Sequence, residues 1–310
     1  MLPIDRRTFL TATGALAAAA ALGSVRAEQP TFSPPPPSKR TLRKAVMIGM
    51  VGEGNAVLEK FQILRDTGFE GVEMDCPSAT PSDEVLAAQD KTGIKVHGLV
   101  DSFHWKYHLN CPDPAVRAKG VEAIETCLRD GKKYGSTSIL LVVGVVNRDQ
   151  PYDEAWRLTQ EEIRKVLPLA AECGVKIAVE NVWNNFHLSP LEAARYIDEF
   201  KSPWVAWHFD IGNVINYGWP AQWARILGPR VVKLHIKDFS RKKRDDEGLW
   251  KGFNVELGDG DAQWPDLMKA LDEIGYSTAP HGNWATAEVG GGDRTRLKQV
   301  SDKMDRLFAM

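Results

Sequence analysis

The sequence predicts an α/β fold, a single (β/α)8 barrel of the TIM type. Short apolar segments rich in β-branched residues alternate with amphipathic segments from Lys44 to the end of the chain. The apolar segments are nearly continuous, which is typical of parallel strands covered by helices. Eight such pairs fit into roughly 270 residues, the size of a closed barrel. An open doubly wound sheet is the alternative, but residues 49–54 after the first strand lack the G-x-G-x-x-G nucleotide turn.

The strands are predicted where apolar runs occur between polar or glycine-containing segments. The fourth run is apolar at nearly every position, as expected for a strand covered on both faces. In chain order, the predicted strands are residues 44–50, 69–75, 94–100, 138–146, 175–182, 204–210, 231–238 and 283–289.

The helices are predicted in the amphipathic segments between these strands. The third helix has the clearest boundaries, because Asp113 is a favoured N-cap, Pro114 a favoured first helical residue and Gly135 a favoured end. In chain order, the predicted helices are residues 55–67, 82–92, 113–134, 152–173, 189–199, 220–227, 262–274 and a terminal helix from 294.

The first 27 residues resemble a twin-arginine export signal. Arg6 and Arg7 precede an Ala-rich apolar segment, residues 11–23, which is too short to span a membrane. Val25 and Ala27 form a small-x-small cleavage site, and an uncleaved lipid-surface anchor is the alternative. We therefore predict export by the Tat pathway to the periplasm, with no stable membrane insertion after signal removal.

A proline-rich linker is predicted to follow the signal. Residues 28–40 include four consecutive prolines at 34–37, which favour an extended spacer outside any core. The catalytic barrel domain is therefore predicted over residues 41–310.

The composition excludes several classes of protein. The chain is 43% hydrophobic and 26% charged, which is inconsistent with intrinsic disorder or a multispan membrane protein. It carries 39 Lys+Arg and 41 Asp+Glu, a formal net charge of −2. Without residues 1–27, 36 basic and 40 acidic residues remain. This balance offers no general attraction to phosphate backbones, so we predict no nucleic-acid partner.

Polar residues at the ends of four consecutive predicted strands indicate a metal site. Glu180, Asp210, His235 and Glu288 lie at the carboxyl ends of strands five to eight, where barrel enzymes place their chemistry. Three carboxylates at one rim would repel each other without a cation. With one imidazole, they suit one divalent metal ion such as Mn²⁺, Mg²⁺, Co²⁺ or Zn²⁺.

Five segments together resemble the xylose-isomerase-like TIM barrel superfamily. Within it, the chain is most similar to the sugar phosphate isomerase/epimerase branch, which includes the ketose 3-epimerases. The segments are residues 178–181 (AVEN), 209–213 (FDIGN), 233–238 (KLHIKD), 257–261 (LGDGD) and 287–288 (AE). The resemblance covers nearly all of residues 41–308. Its motifs are specific for the fold and the metal site and weak for the substrate.

The resemblance implies an isomerase that acts on a carbohydrate. Its metal ligands correspond to the four residues above, and Glu180 and Glu288 are the implied catalytic acid/base pair. They would epimerise or isomerise a sugar or sugar derivative by proton abstraction next to a carbonyl, via an enediolate. Two family positions differ here: a substrate-contacting Glu is replaced by Phe186, and a His by Asn213.

Further residues near the strand ends are candidates for substrate binding. For His97, a hydrogen-bonded position inside the barrel is the alternative, and for Glu73 and Lys237 a structural hydrogen bond or ion pair. The basic run 241–244 is interpreted as a solvated loop, because residues 245–247 are acidic. The candidates are His97, Glu73, Trp183, Asn185, His187, Asn213 and Lys237.

Other functions use the same barrel. A lyase acting on 3-keto-glycosides could use the same metal site. A metal-dependent hydrolase or endonuclease-like barrel is disfavoured by the small number of histidines, seven in all. A non-catalytic sugar-binding barrel would bind its ligand without turnover. Neither the specific sugar nor the metal nor homo-oligomer formation follows from the sequence.

Overall fold

The structure, a computed structural model, describes residues 40–279 and 283–310. The predicted export signal (residues 1–27) and the predicted linker (28–40) lie outside the described residues, apart from Arg40. The guanidinium of Arg40 lies 2.8 Å from the carboxylate of Asp272, so this residue already contacts the barrel.

Eight parallel strands form a closed barrel in which each strand pairs with the next and the last pairs with the first. This confirms the predicted fold class. The strands are β1 (Arg43–Met47), β2 (Gly71–Cys76), β3 (Lys95–Asp101), β4 (Ser138–Leu141), β5 (Lys176–Glu180), β6 (Val205–Asp210), β7 (Val231–Ile236) and β8 (Trp284–Ala287).

Helices cover the outside of the barrel. Asp113 caps the long third helix, since its side chain accepts a hydrogen bond from the backbone N–H of Ala115, as predicted. The helices are α1 (Val57–Asp66), α2 (Ser82–Thr92), α3 (Pro114–Tyr134), α4 (Tyr152–Cys173), α5 (Pro190–Asp198), α6 (Ile211–Ile215), α7 (Pro220–Leu227), α8 (Arg241–Glu247), α9 (Trp264–Glu273) and α10 (Arg294–Phe308).

Several details differ from the sequence-based expectation, among them the first strand, which ends at Met47 and not at Met50. The fourth strand ends at Leu141, and the apolar residues Val142 and Val143 are buried in the loop that follows. A buried loop and a buried strand have the same apolar pattern, so periodicity could not place this boundary. The short helices α6 and α8 were not predicted.

The loop predicted at 241–244 is wrong, because helix α8 begins there, but the Lys242 side chain is solvent-exposed and pairs with the acidic Asp246. The guanidinium of Arg241 donates hydrogen bonds to the backbone carbonyls of Ile215 (2.9 Å) and Gly218 (2.7 Å). The run therefore ties the turn after β7 to the turn after α6. The acidic residues 245–247, on which the prediction rested, did not reveal these carbonyl partners.

Strand register brings the ends of β5 to β8 to one rim. Glu180 pairs with His208, Asp210 with His235, and His235 with Thr286. Because parallel strands point the same way, their carboxyl-terminal side chains meet at one end of the barrel. No helix in the described part of the chain has the length and apolarity needed to cross a membrane.

Candidate active site

Four residues from four consecutive strands converge at the carboxyl rim. Glu180 and Asp210 end β5 and β6, His235 lies one residue before the end of β7, and Glu288 directly follows β8. One possible ligand atom from each lies within 4.8 Å of the others. The Nδ1 atom of His235 is 2.9 Å from Glu180 Oε1 and 3.0 Å from Glu288 Oε2. The structure thus brings together all four residues predicted as metal ligands.

The donor set fits a divalent cation. Asp210 is fully buried, and its Oδ2 atom has no hydrogen-bond partner among the described residues. The ammonium of Lys237 lies 2.8 Å from this atom without hydrogen-bond geometry, and 2.8 Å from Glu288 Oε2. Buried carboxylates need a positive partner, and three carboxylates with an imidazole are ligands that divalent ions accept.

Burial and neighbouring charges set the ionisation of the carboxylates. Burial raises the pKa of Asp210 to about 8, with the Glu288 and Glu180 charges adding to the effect and Lys237 opposing it. Burial also raises the pKa of Glu180. Burial acts in the same direction on Glu288, but His235 and Lys237 outweigh it and hold the pKa of Glu288 well below its usual value. The cluster therefore depends on positive charge to remain ionised.

Two asparagines hold Asp210 in position. The side-chain amide of Asn181 donates to the carbonyl of Asp210 (2.7 Å), and its oxygen accepts from the Asp210 N–H (3.0 Å). The backbone N–H of Asn213 donates to Asp210 Oδ1 at 2.7 Å, which makes Asp210 the N-cap of α6. One carboxylate oxygen is therefore used by the fold, and Oδ2 faces the cluster.

Glu73 lies inside the barrel against the other ring nitrogen of His235. Its Oε2 atom is 2.8 Å from His235 Nε2. Nδ1 also faces carboxylates, those of Glu180 and Glu288, so with a cation bound at Nδ1 the proton would be on Nε2 and be donated to Glu73. Glu73 is buried and does not line the cavity described next, so the predicted substrate contact is replaced by a contact with His235.

A cavity of about 590 Å³ opens above the cluster. Glu180, His235 and Glu288 form part of its wall. Three of the predicted substrate-binding residues also line it, namely Trp183, Asn213 and Lys237. The indole N–H of Trp183 donates to the Asn213 carbonyl at 2.9 Å, which fixes the ring beside the cavity. A volume of this size accommodates a small-molecule ligand.

His97 does not line this cavity. It is buried in the barrel interior, where Nδ1 is 2.9 Å from Lys233 Nζ and the ring stacks on Trp284 at a centroid distance of 4.3 Å. Burial, followed by the charge of Lys233, holds its pKa well below the usual value. The alternative of a hydrogen-bonded barrel histidine therefore describes it better than a substrate contact. His97 lies early in β3, and the rim is reached only at Asp101.

Asn185 and His187 also lie away from the cavity wall. Asn185 is exposed and donates to the carbonyl of Val146 at 3.1 Å. The His187 ring is buried against Phe186 and Tyr196, with centroids 4.0 and 4.3 Å away, and burial lowers its pKa to about 3. Both residues have positive φ, 59° and 54°. These turns redirect the loop after β5, which residue spacing does not reveal.

Several cavity residues were absent from the predicted site. Asp75 and Asp101, near the ends of β2 and β3, face the cavity from the side opposite β6 and β7. Burial raises the pKa of Asp101 to about 6, although N–H groups of Phe103 and His104 oppose the shift. The strand-end rule that located the metal ligands would have found both aspartates. His104 comes from the loop after β3, where no pattern identified it, and Trp250 lies in a short 3-10 helix after α8.

Comparisons with known proteins identify the kind of barrel. The profile of a family described as xylose isomerase-like TIM barrel matches residues 61–307. A twin-arginine translocation signal profile matches residues 3–23. L-ribulose-5-phosphate 3-epimerase UlaE of Escherichia coli O1:K1 / APEC is 26% identical over 238 residues, covering 72% of this chain and 80% of that relative.

Solved structures of similar fold include two sugar epimerases. The apo form of 3-keto-D-glucoside 4-epimerase YcjR from E. coli has a TM-score of 0.72 and 18% identity, covering 87% of this chain and 100% of that one. An L-ribulose 3-epimerase structure has a TM-score of 0.72 and 16% identity, covering 86% of this chain and 95% of that one. At these identities the structures support the fold alone.

Proposed function

The chain belongs to the xylose isomerase-like TIM barrel family, and from this premise we propose that it is a divalent-metal-dependent sugar epimerase. The observation that carries the proposal is the convergence of Glu180 and Glu288 with Asp210 and His235, with Glu180, His235 and Glu288 lining one cavity. The curated relative at 26% identity is named as a sugar epimerase, which supports the same reaction class.

Glu180 and Glu288 are proposed as the acid/base pair. Epimerisation needs one group to take a proton from the carbon next to a carbonyl and another to return a proton to the opposite face. Both carboxylates lie within 3.0 Å of the same His235 nitrogen, and both line the cavity. When bound, a divalent ion would polarise the adjacent substrate oxygens and stabilise developing negative charge.

Other residues are proposed to position the reacting groups. Asp210 and His235 complete the ligand set, and Glu73 orients His235 through its Nε2 hydrogen bond. Trp183, Asn213 and Lys237 are proposed to contact the sugar from the cavity wall. The Tat signal supports export, and we propose the periplasm as the destination, with residues 1–27 removed and residues 28–40 as the linker.

The test is solvent-deuterium exchange at a carbon-bound hydrogen of a ketose panel, with and without added Mn²⁺, Mg²⁺ or Co²⁺. We expect metal-dependent exchange that falls at least about 100-fold in Glu180→Gln and in Glu288→Gln, the usual loss when an acid/base group is removed. Glu161→Gln, on the exposed side of α4, is the control and should retain full exchange. Retained exchange in both active-site variants would refute the assignment.

The same experiment separates the alternatives. A non-catalytic sugar-binding barrel would bind a ketose without exchange. A lyase would exchange a hydrogen and also release a leaving group, which product analysis detects. A hydrolase would release product without exchange at carbon.

A further inference from the structure

We propose that this site takes an uncharged sugar and discriminates against sugar phosphates. The inference rests on the proposed function and names its substrate class. It differs from the class named for the curated relative, a 5-phosphate epimerase. A phosphate ester carries close to two negative charges at pH 7 and needs donors or cations to receive it.

Two amides at the start of the helix after β8 are already bound by carboxylates of the protein. In β/α barrels, phosphate groups commonly bind at the loops after strands seven and eight and at a nearby helix N-terminus. Here the Asp293 carboxylate accepts from the backbone N–H of Arg296 at 2.9 Å. The Glu53 carboxylate accepts from the N–H of Arg294 at 2.8 Å. A phosphate that bound these two amides would have to displace two carboxylates of the protein.

The glycine run before that helix is explained by packing. The N–H of Gly292 donates to the Met50 carbonyl at 3.0 Å. A Cβ atom on Gly291 would lie 2.2 Å from the same carbonyl oxygen. These glycines therefore permit close approach to the turn after β1, and the run is not evidence for a phosphate loop.

The loop after β7 is occupied in a similar way. The N–H of Arg241 donates to Asp261 Oδ2 at 2.7 Å, and the N–H of Lys243 donates to Ser240 Oγ at 3.2 Å. The guanidinium groups of Arg241 and Arg244 donate hydrogen bonds to backbone carbonyls. The Arg244 guanidinium donates to the carbonyl of Asn216 at 2.8 Å. The basic run is thus engaged within the fold.

The cavity walls are acidic on balance. Apart from histidines, Lys237 is the cationic residue among the described residues that line the 590 Å³ cavity above the cluster. Its ammonium lies 2.8 Å from the carboxylates of both Asp210 and Glu288. Arg296 reaches the adjoining cavity, but its guanidinium bonds Glu256 at 2.8 Å and the Gly290 carbonyl at 3.0 Å. A phosphate here would have to displace an existing partner.

Acidic and aromatic groups line the side where the far end of a substrate would extend. Asp75 and Asp101 would repel a dianion, whereas their oxygens can accept hydrogen bonds from sugar hydroxyls. Trp105 and Trp250 also line the cavity and are 53% and 68% exposed. Aromatic faces suit the apolar faces of sugar rings. Trp250 also borders the adjoining cavity, so the wall continues beyond one sugar ring.

The test measures binding separately from turnover. The full chain, loaded with Mn²⁺, is titrated calorimetrically with two matched pairs: L-ribulose and L-ribulose 5-phosphate, and methyl 3-keto-glucoside and its 6-phosphate. We expect the uncharged member of at least one pair to bind, at least 10-fold more tightly than its phosphate. Equal or tighter binding of a phosphate, or no binding of either uncharged sugar, would overturn the inference.

Two charge variants test the cause. Asp75→Asn should reduce the preference for the uncharged member over its phosphate about threefold, the order expected for removing one partly exposed charge. Asp83→Asn, on the exposed face of α2, is the matched control and should leave this preference unchanged. An unchanged preference in Asp75→Asn would contradict the charge argument. Deuterium exchange on the same samples tests the proposed function independently, because binding preference can hold whether or not exchange occurs.

Discussion

The carboxylate of Glu73 lies 2.8 Å from Nε2 of His235, so it determines which nitrogen of the imidazole faces the cluster. Glu73 itself does not line the cavity. Its effect on catalysis therefore passes through the orientation and basicity of His235. Carboxylates in this position commonly tune a metal-binding histidine.

We predict that Glu73→Gln weakens Mn²⁺ binding by about 10-fold or more, because a neutral amide holds the imidazole less firmly and makes it less basic. Isothermal titration with Mn²⁺ measures the affinity. Glu70→Gln removes an exposed carboxylate from the loop before β2 and should leave the affinity unchanged. Equal affinities for both variants would show that Glu73 serves stability alone.

At the scale of elements, the loop after β8 is held by backbone contacts to the turn after β1. The N–H of Gly52 donates to the Gly292 carbonyl at 2.8 Å, and the N–H of Gly292 donates to the Met50 carbonyl at 3.0 Å. The contact fixes the chain between Glu288 and helix α10. The turn after β1 and the loop after β8 thus together hold Glu288, one of the proposed metal ligands.

We predict that Gly291→Ala destabilises this loop by about 2 kcal/mol or more, since the added Cβ would overlap the Met50 carbonyl oxygen. Gly290→Ala is the matched control, because a Cβ there meets nothing within 4 Å. Urea unfolding gives the two free energies. The prediction fails if the two variants have the same stability.

For the whole molecule, metal binding should couple to folding stability. The four proposed ligands come from β5, β6, β7 and the residue that follows β8, so an ion at the rim would connect half of the barrel. A ligand present at 100 times its dissociation constant adds about 2.7 kcal/mol to stability.

We predict that saturating Mn²⁺ raises the melting temperature of the chelator-treated protein by about 5 °C, and that Asp210→Asn abolishes this increase. Asp198→Asn, which removes an exposed partner of Arg230, should retain it. Differential scanning calorimetry with and without EDTA measures the shift. An equal shift in Asp210→Asn would place the ion elsewhere.

The strand-end rule had a mixed outcome. It located Glu180, Asp210, His235 and Glu288 because the carboxyl ends of parallel barrel strands share one rim. It failed for His97, which lies too early in β3 to reach the rim. It also failed for His187, because its loop turns away from the cavity at a residue with positive φ. It was not extended to Asp75, which also lies near a strand end.

The sequence by itself determined the barrel, most helix positions, the export signal and the identity of the four rim residues. These follow from periodicity, caps and strand ends, which are local properties of the chain. Only the tertiary structure decided that Glu73 contacts His235, that Asp293 and Glu53 accept hydrogen bonds from N–H groups at the start of α10, and that His104 lines the cavity. Such contacts join residues far apart in the chain, and their geometry depends on loop dihedral angles that residue spacing does not encode.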